Sequence, residues 1–132
     1  MDAVPSQSRR GRILVADDEP HIRRVLATLL TQEGFDVAES TDGGEALDRI
    51  ASGEHFDFLL LDLMMPGATG LEVLARVRAH PTRGTTPVIV LTAKGQETDR
   101  QAALAGGAQD FFTKPFSPKK LISRIREILA ER

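Results

Sequence analysis

A parallel sheet sandwiched between two layers of helices is the α/β arrangement the sequence predicts, from three observations. Short continuous apolar runs rich in β-formers alternate five times with longer segments whose apolar residues recur at helical spacing. The runs are apolar at successive positions, as strands covered on both faces must be. The segments between runs are long enough to be helical crossovers, and right-handed crossovers leave few topologies. Together these give a five-stranded parallel sheet of flavodoxin-like order 2-1-3-4-5, a (βα)5 three-layer sandwich.

Each element follows from its own residues. Ile13-Leu14-Val15-Ala16 reads as the first strand and stops abruptly at Asp17-Asp18-Glu19-Pro20. Ile22, Val25, Leu26, Leu29 and Leu30 then lie on one face of a helix, with Pro20 suited to its first turn and Gly34 to its end. Phe35 to Ala38 reads as the second strand. Ala46, Leu47 and Ile50 mark a second helix ending near Gly53, and Gly43-Gly44 reads as a turn before it. Phe58-Leu59-Leu60-Leu61 is the third strand, ending in Asp62. A loop with Pro66 and Gly70 leads into a helix carrying Leu71, Leu74 and Val77. Pro87 to Leu91 is the fourth strand, ending in Thr92. The next helix, about Glu97 to Ala105, has only Ala102, Ala103 and Leu104 as apolar material, so it should be the most weakly anchored element. Phe111-Phe112 form the core of the fifth strand, and Leu121, Ile122, Ile125, Ile128 and Leu129 stripe the last helix.

Composition narrows the class of function. The 132 residues, 41% hydrophobic, suit one domain, and the absence of cysteine excludes disulfides, thiolate metal sites and a cysteine nucleophile. It also fits a reducing cytoplasm. The net charge of −2 conceals a segregation. Residues 1–12 carry three arginines and one aspartate, and residues 113–132 carry six bases and two acids. The intervening hundred residues carry sixteen acids against eight bases, so no duplex nucleic-acid surface is expected on the body. No stretch approaches the ~20 apolar residues of a membrane span. Residues 1–11 read as a short tail and 12–132 as the domain.

The chemistry should lie at the carboxyl ends of the strands, where open parallel sheets bind ligands. Asp17 and Asp18 follow the first run, Asp62 the third, Thr92 the fourth and Lys114 the fifth. In the order 2-1-3-4-5 these ends are neighbours. Singly, each has an ordinary reading: two aspartates can cap a helix, Thr92 can start a turn, and Lys114 can reach out to solvent. Jointly, three carboxylates in one crevice repel unless a cation sits among them. A hard divalent ion such as Mg²⁺, with Lys114 as a second positive charge, resolves this, and a carboxylate so placed can attack a phosphoryl group.

The motifs Val15-Ala16-Asp17-Asp18-Glu19-Pro20, Leu61-Asp62-Leu63-Met64-Met65-Pro66-Gly67-Ala68-Thr69-Gly70, Val90-Leu91-Thr92-Ala93 and Phe111-Phe112-Thr113-Lys114-Pro115-Phe116 resemble those of bacterial two-component response-regulator receiver domains of the CheY-like type. The likeness spans about residues 12–131. It implies that Asp62 accepts a phosphoryl group from a phosphohistidine on a sensor histidine kinase or a histidine phosphotransfer protein. It implies Mg²⁺ held by Asp18 and Asp62, by Asp17 through water, and by the Met64 main-chain carbonyl. Lys114 would contact the phosphoryl oxygens, Thr92 would move toward them, and Phe111 would turn inward as the aromatic switch. Met64 and Lys94 would flank the phosphoryl group and help set its lifetime.

The resemblance further implies a cytoplasmic phosphoprotein that catalyses only its own phosphorylation and dephosphorylation. Its output would pass from the face of the fourth helix, fifth strand and fifth helix to a downstream effector protein or tethered output domain. Arg100, Asp110 and Arg124 match a pattern used there for phosphorylation-dependent homodimers, whereas Lys120 replaces a glutamate and would repel Arg100. Phe111 replaces a frequent tyrosine and lacks its hydroxyl; Gln109 stands where an acid is frequent. Two other functions compete. A haloacid-dehalogenase-type phosphohydrolase would place its nucleophile after the first strand, two residues from its acid; here those acids are adjacent. A pure interaction module would have no need of the five site residues. His21, His55 and His80 share no ligand spacing and read as surface or helix-end residues.

Overall fold

The computed structural model describes residues 10–93 and 95–131, in the order β1 (Arg12–Ala16), α1 (Pro20–Gln32), β2 (Asp36–Ser40), α2 (Gly43–Ala51), β3 (Phe58–Asp62), α3 (Gly70–Ala79), β4 (Val88–Thr92), α4 (Glu97–Ala105), β5 (Asp110–Thr113) and α5 (Pro118–Ala130). The strands form one sheet of order β2-β1-β3-β4-β5, and every pairing is parallel. This is the expected flavodoxin-like sandwich. Most of the expected tail, residues 1–9, lies outside the described residues. Arg10 and Gly11 already bond near β2, through Arg10 N to Gly34 O at 2.9 Å and Asp36 N to Gly11 O at 2.9 Å.

Alternation along the strands divides the core into two layers. Ile13, Val15, Phe58, Leu60, Ile89 and Leu91 point to one face, where Leu26 and Leu30 of α1 and Leu121, Ile125 and Ile128 of α5 cover them. Leu14, Ala16, Leu59, Leu61, Val88 and Val90 point to the other, under Ala46 and Ile50 of α2 and Val73, Leu74 and Val77 of α3. β3 and β4 are buried at all five positions, which explains their unbroken apolar runs. From α4 only Ala103 is buried, and Leu104 is exposed, so this helix has the slight anchorage its composition implied.

β2 and β4 each begin one residue later than expected, β4 at Val88 and not Pro87, and one helix start needs correction. β2 begins at Asp36, not Phe35, and runs to Ser40; Phe35 is buried just ahead of it. Gly43 and Gly44 are not a turn but the first residues of α2, behind the N-cap Asp42, whose carboxylate accepts from Glu45 N at 2.8 Å. The reason is a close approach by the loop after β3. A Cβ on Gly43 would lie 2.0 Å from the carbonyl oxygen of Ala68, so only glycine lets the helix start there.

Candidate functional site

Because β1 and β3 are neighbours, Asp17 and Asp18 arrive beside Asp62 although 45 residues of sequence separate Asp17 from Asp62. Asp62 is the last residue of β3 and is paired in register with Leu91 of β4, which places Thr92 at the adjoining strand end. Thr92 in turn registers with Thr113 of β5, and its carbonyl accepts from Lys114 N at 2.6 Å. The sheet thus sets the spacing of all five residues. The Lys114–Pro115 peptide is cis.

Charge is concentrated and largely dry here. Asp17, Asp62 and Thr92 are buried, and Asp18 is exposed at the rim. One carboxylate oxygen from each of Asp17, Asp18 and Asp62 lies within 4.8 Å of the others. Lys114 Nζ supplies the countercharge, at 2.9 Å from Asp17 Oδ2, 2.7 Å from Glu19 Oε1 and 3.6 Å from Asp62 Oδ2. Burial, then the charge of Asp17 and the contact with Asp18, push Asp62 up to about 7, against the opposing pull of Lys114 and the Met64 N–H. Burial pulls Lys114 down, but the hydrogen bond to Glu19, the close Asp17 carboxylate and the charge of Asp62 raise it above its ordinary value.

These donors fit a hard divalent ion. They are all oxygens, they converge, and Oδ2 of Asp17, 2.9 Å from the Lys114 ammonium, is buried with no partner in hydrogen-bonding geometry. An ion among them would offset the burial and the repulsion that together raise Asp62.

Met64, expected to offer its main-chain carbonyl to the ion, donates its N–H to Asp62 Oδ1 at 3.4 Å, and its side chain is exposed. Phe111 is half-buried in β5, opposite Val90, and packs on the core layer beneath α2 and α3. Lys94 lies outside the described residues. Glu19 and Gly70 have places in the site that their sequence motifs alone do not assign. A Cβ on Gly70 would lie 2.5 Å from the carbonyl oxygen of Asp62, and Gly70 N donates to Leu63 O at 2.9 Å, so Gly70 lets α3 brace the acceptor's own main chain. The threonine just before it, Thr69, forms a reciprocal capping box with Glu72, which the spacing Thr-x-x-Glu could have revealed.

Comparison with known proteins agrees with this fold. The family described as "Response regulator receiver domain" matches residues 13–126. Transcriptional regulatory protein ResD of Bacillus subtilis is 42% identical over 125 residues, covering 93% of this chain and 50% of ResD. The chain therefore spans about half the length of such curated relatives. Among solved structures, the receiver domain of Francisella response regulator 1452 superposes with a TM-score of 0.84 at 33% identity, covering 92% of this chain and 98% of that one. Response regulator TrrA of Thermotoga maritima, solved with Mg²⁺ and a beryllium fluoride, has a TM-score of 0.76 at 34% identity over 88% of this chain and 96% of its own.

Proposed function

The chain belongs to the family of response regulator receiver domains, and from that premise we propose that it is a phospho-accepting switch whose acceptor is Asp62. The observation that carries this is the buried carboxylate at the end of β3, 3.6 Å from the Lys114 ammonium and grouped with Asp17 and Asp18. In the forward step an Asp62 carboxylate oxygen attacks the phosphorus of a phosphohistidine. A P–O bond forms as the P–N bond breaks, and the electron pair of that bond stays on the donor's imidazole nitrogen. Water later attacks the same phosphorus, returning the carboxylate and releasing inorganic phosphate.

Asp17, Asp18 and Asp62, with the Met64 main-chain carbonyl, would hold Mg²⁺, which when bound offsets the carboxylate repulsion and screens the phosphoryl oxygens. Lys114 orients and neutralises one of those oxygens. The Thr92 hydroxyl is drawn toward the new acceptor oxygens, and Phe111 follows it inward. Signalling is then a shift in population on the face of α4, β5 and α5.

The donor is a sensor histidine kinase or a histidine phosphotransfer protein, met in the cytoplasm. The output goes to an effector protein or a tethered output domain, as the description of ResD as a transcriptional regulatory protein supports. No described helix is long and apolar enough to cross a membrane. Phosphorylation-dependent pairing of two chains through Arg100, Asp110 and Arg124 is part of this reading, and Lys120 opposes it. A beryllofluoride-bound protein that sediments only as monomer ends that part alone.

Incubation with acetyl phosphate and Mg²⁺ should add the mass of one phosphoryl group, and Asp62→Asn should abolish the gain. If neither acetyl phosphate nor any histidine kinase labels the wild type, the chain is an interaction module and the proposal fails.

A further inference from the structure

Lys114 has a third claimant. Its shortest ionic contact is to Glu19, at 2.7 Å, against 2.9 Å to Asp17 and 3.6 Å to Asp62. Glu19 occupies the N-cap position of α1 yet makes no side-chain cap bond; its carboxylate instead reaches a residue 95 positions away. Its main chain is fixed to the acid pair, because Glu19 N donates to Asp17 Oδ1 at 2.8 Å. The partners differ sharply in exposure. The side chains of Asp17 and Lys114 are 0% and 8% exposed, whereas that of Glu19 is 55% exposed. Glu19 alone can release the ammonium and be rehydrated with little rearrangement.

We propose, resting on the reading of Asp62 as phosphoacceptor, that Glu19 is a positioning residue that competes with the phosphoryl group for Lys114. In the unmodified protein its carboxylate takes the place on Nζ that a phosphoryl oxygen takes afterwards, and draws the ammonium toward the rim. A phosphoryl group on Asp62 carries more charge and more acceptor oxygens than one carboxylate, and it sits deeper. Lys114 therefore transfers to it, and Glu19 swings into solvent. The contact stabilises only the unmodified state, so it opposes phosphorylation and beryllofluoride binding by the same factor. It leaves hydrolysis of the formed aspartyl phosphate untouched, because Glu19 has already left.

Glu19→Gln keeps the shape and removes the charge. At saturating Mg²⁺, labelling by acetyl phosphate should quicken about threefold, the scale of one partly exposed ion pair, and beryllofluoride should bind about threefold more tightly. The hydrolysis rate of the aspartyl phosphate should stay unchanged. Mg²⁺ affinity is read separately, by NMR titration without a phosphodonor, so an effect on the ion is not mistaken for one on Lys114. Glu19→Asp, one methylene too short for the contact, should behave like Glu19→Gln. A wild type that is labelled on Asp62, together with a Gln variant labelled no faster and binding beryllofluoride no tighter, overturns the role of Glu19. So does an Asp variant that behaves as wild type, since charge without contact would then suffice. A wild type that is never labelled overturns the reading of Asp62 instead.

Discussion

Asp62 illustrates how a single residue can be costly and useful at once. Its carboxyl is raised to about 7 from an ordinary 3.8, by burial first and then by Asp17. The folded state therefore binds the proton more tightly than the unfolded chain does. Ionised Asp62 costs stability above pH 7, and the cost fades as pH falls from there toward 3.8. In metal-free protein, Asp62→Asn should raise the unfolding free energy at about pH 8, by something on the order of 2 kcal/mol, and raise it less at about pH 5. Mg²⁺ and the proton compete for the same oxygens, so added Mg²⁺ should raise the wild-type Tm more at the higher pH and should do little for the variant. The chain has no Trp and no Tyr, so calorimetry or circular dichroism is the measurement. A metal-free Asn variant less stable than wild type at pH 8 would sink the argument.

At the scale of elements, the question is what lets one helix move. α4 buries only Ala103, and its N-cap residue Gln96 makes no side-chain cap bond. Its far end is held: Arg78, from the last turn of α3, donates to Gly107 O at 2.7 Å and to Thr86 O at 2.7 Å. Amide hydrogens of α4 should exchange faster than those of α1 and α5, and Arg78→Met should quicken exchange through α4 while α5 stays as it was. Equal protection of α4 and α5 would refute this. The weakness of α4 was legible in the sequence, because it is a shortage of apolar residues at helical spacing. The strands were legible for the opposite reason, since β3 and β4 are apolar at nearly every position. The three aspartates and Lys114 were legible because each stands at or just past the end of a strand and the strand order makes those ends adjacent. The hold of Arg78 was not, because its shortest bonds, to Thr86 O and Gly107 O, go to main-chain carbonyls that carry no residue identity. The helical place of Gly43 is hidden for a similar reason: what demands a glycine there is a carbonyl of a distant loop.

Across the whole molecule, the site and the structural anchors lie at opposite ends of the sheet. The acids, Thr92 and Lys114 gather at the carboxyl ends of the strands. Beyond the amino ends, Arg83 is buried and donates through Nε to Ile50 O at 2.9 Å and through its terminal nitrogen to Ser52 O at 2.9 Å and to Glu54 O. Its guanidinium lies 5.3 Å from the ring centre of Phe56, and that of Arg12 lies 5.1 Å from the same ring. One arginine thus ties the end of α2, the lead-in to β3 and the segment before β4. Replacing it by methionine keeps much of the volume but leaves those carbonyls without their donor, which should cost about 2–4 kcal/mol. A strand of five residues separates this anchor from the acceptor, about 16 Å of rigid sheet. Arg83→Met should therefore lower the Tm by several degrees, yet well below that Tm its rate of labelling by acetyl phosphate should equal that of wild type. Slower labelling of a fully folded Met variant would mean that the two ends are coupled through the sheet, and that stability and phosphoryl transfer are not separable in this domain.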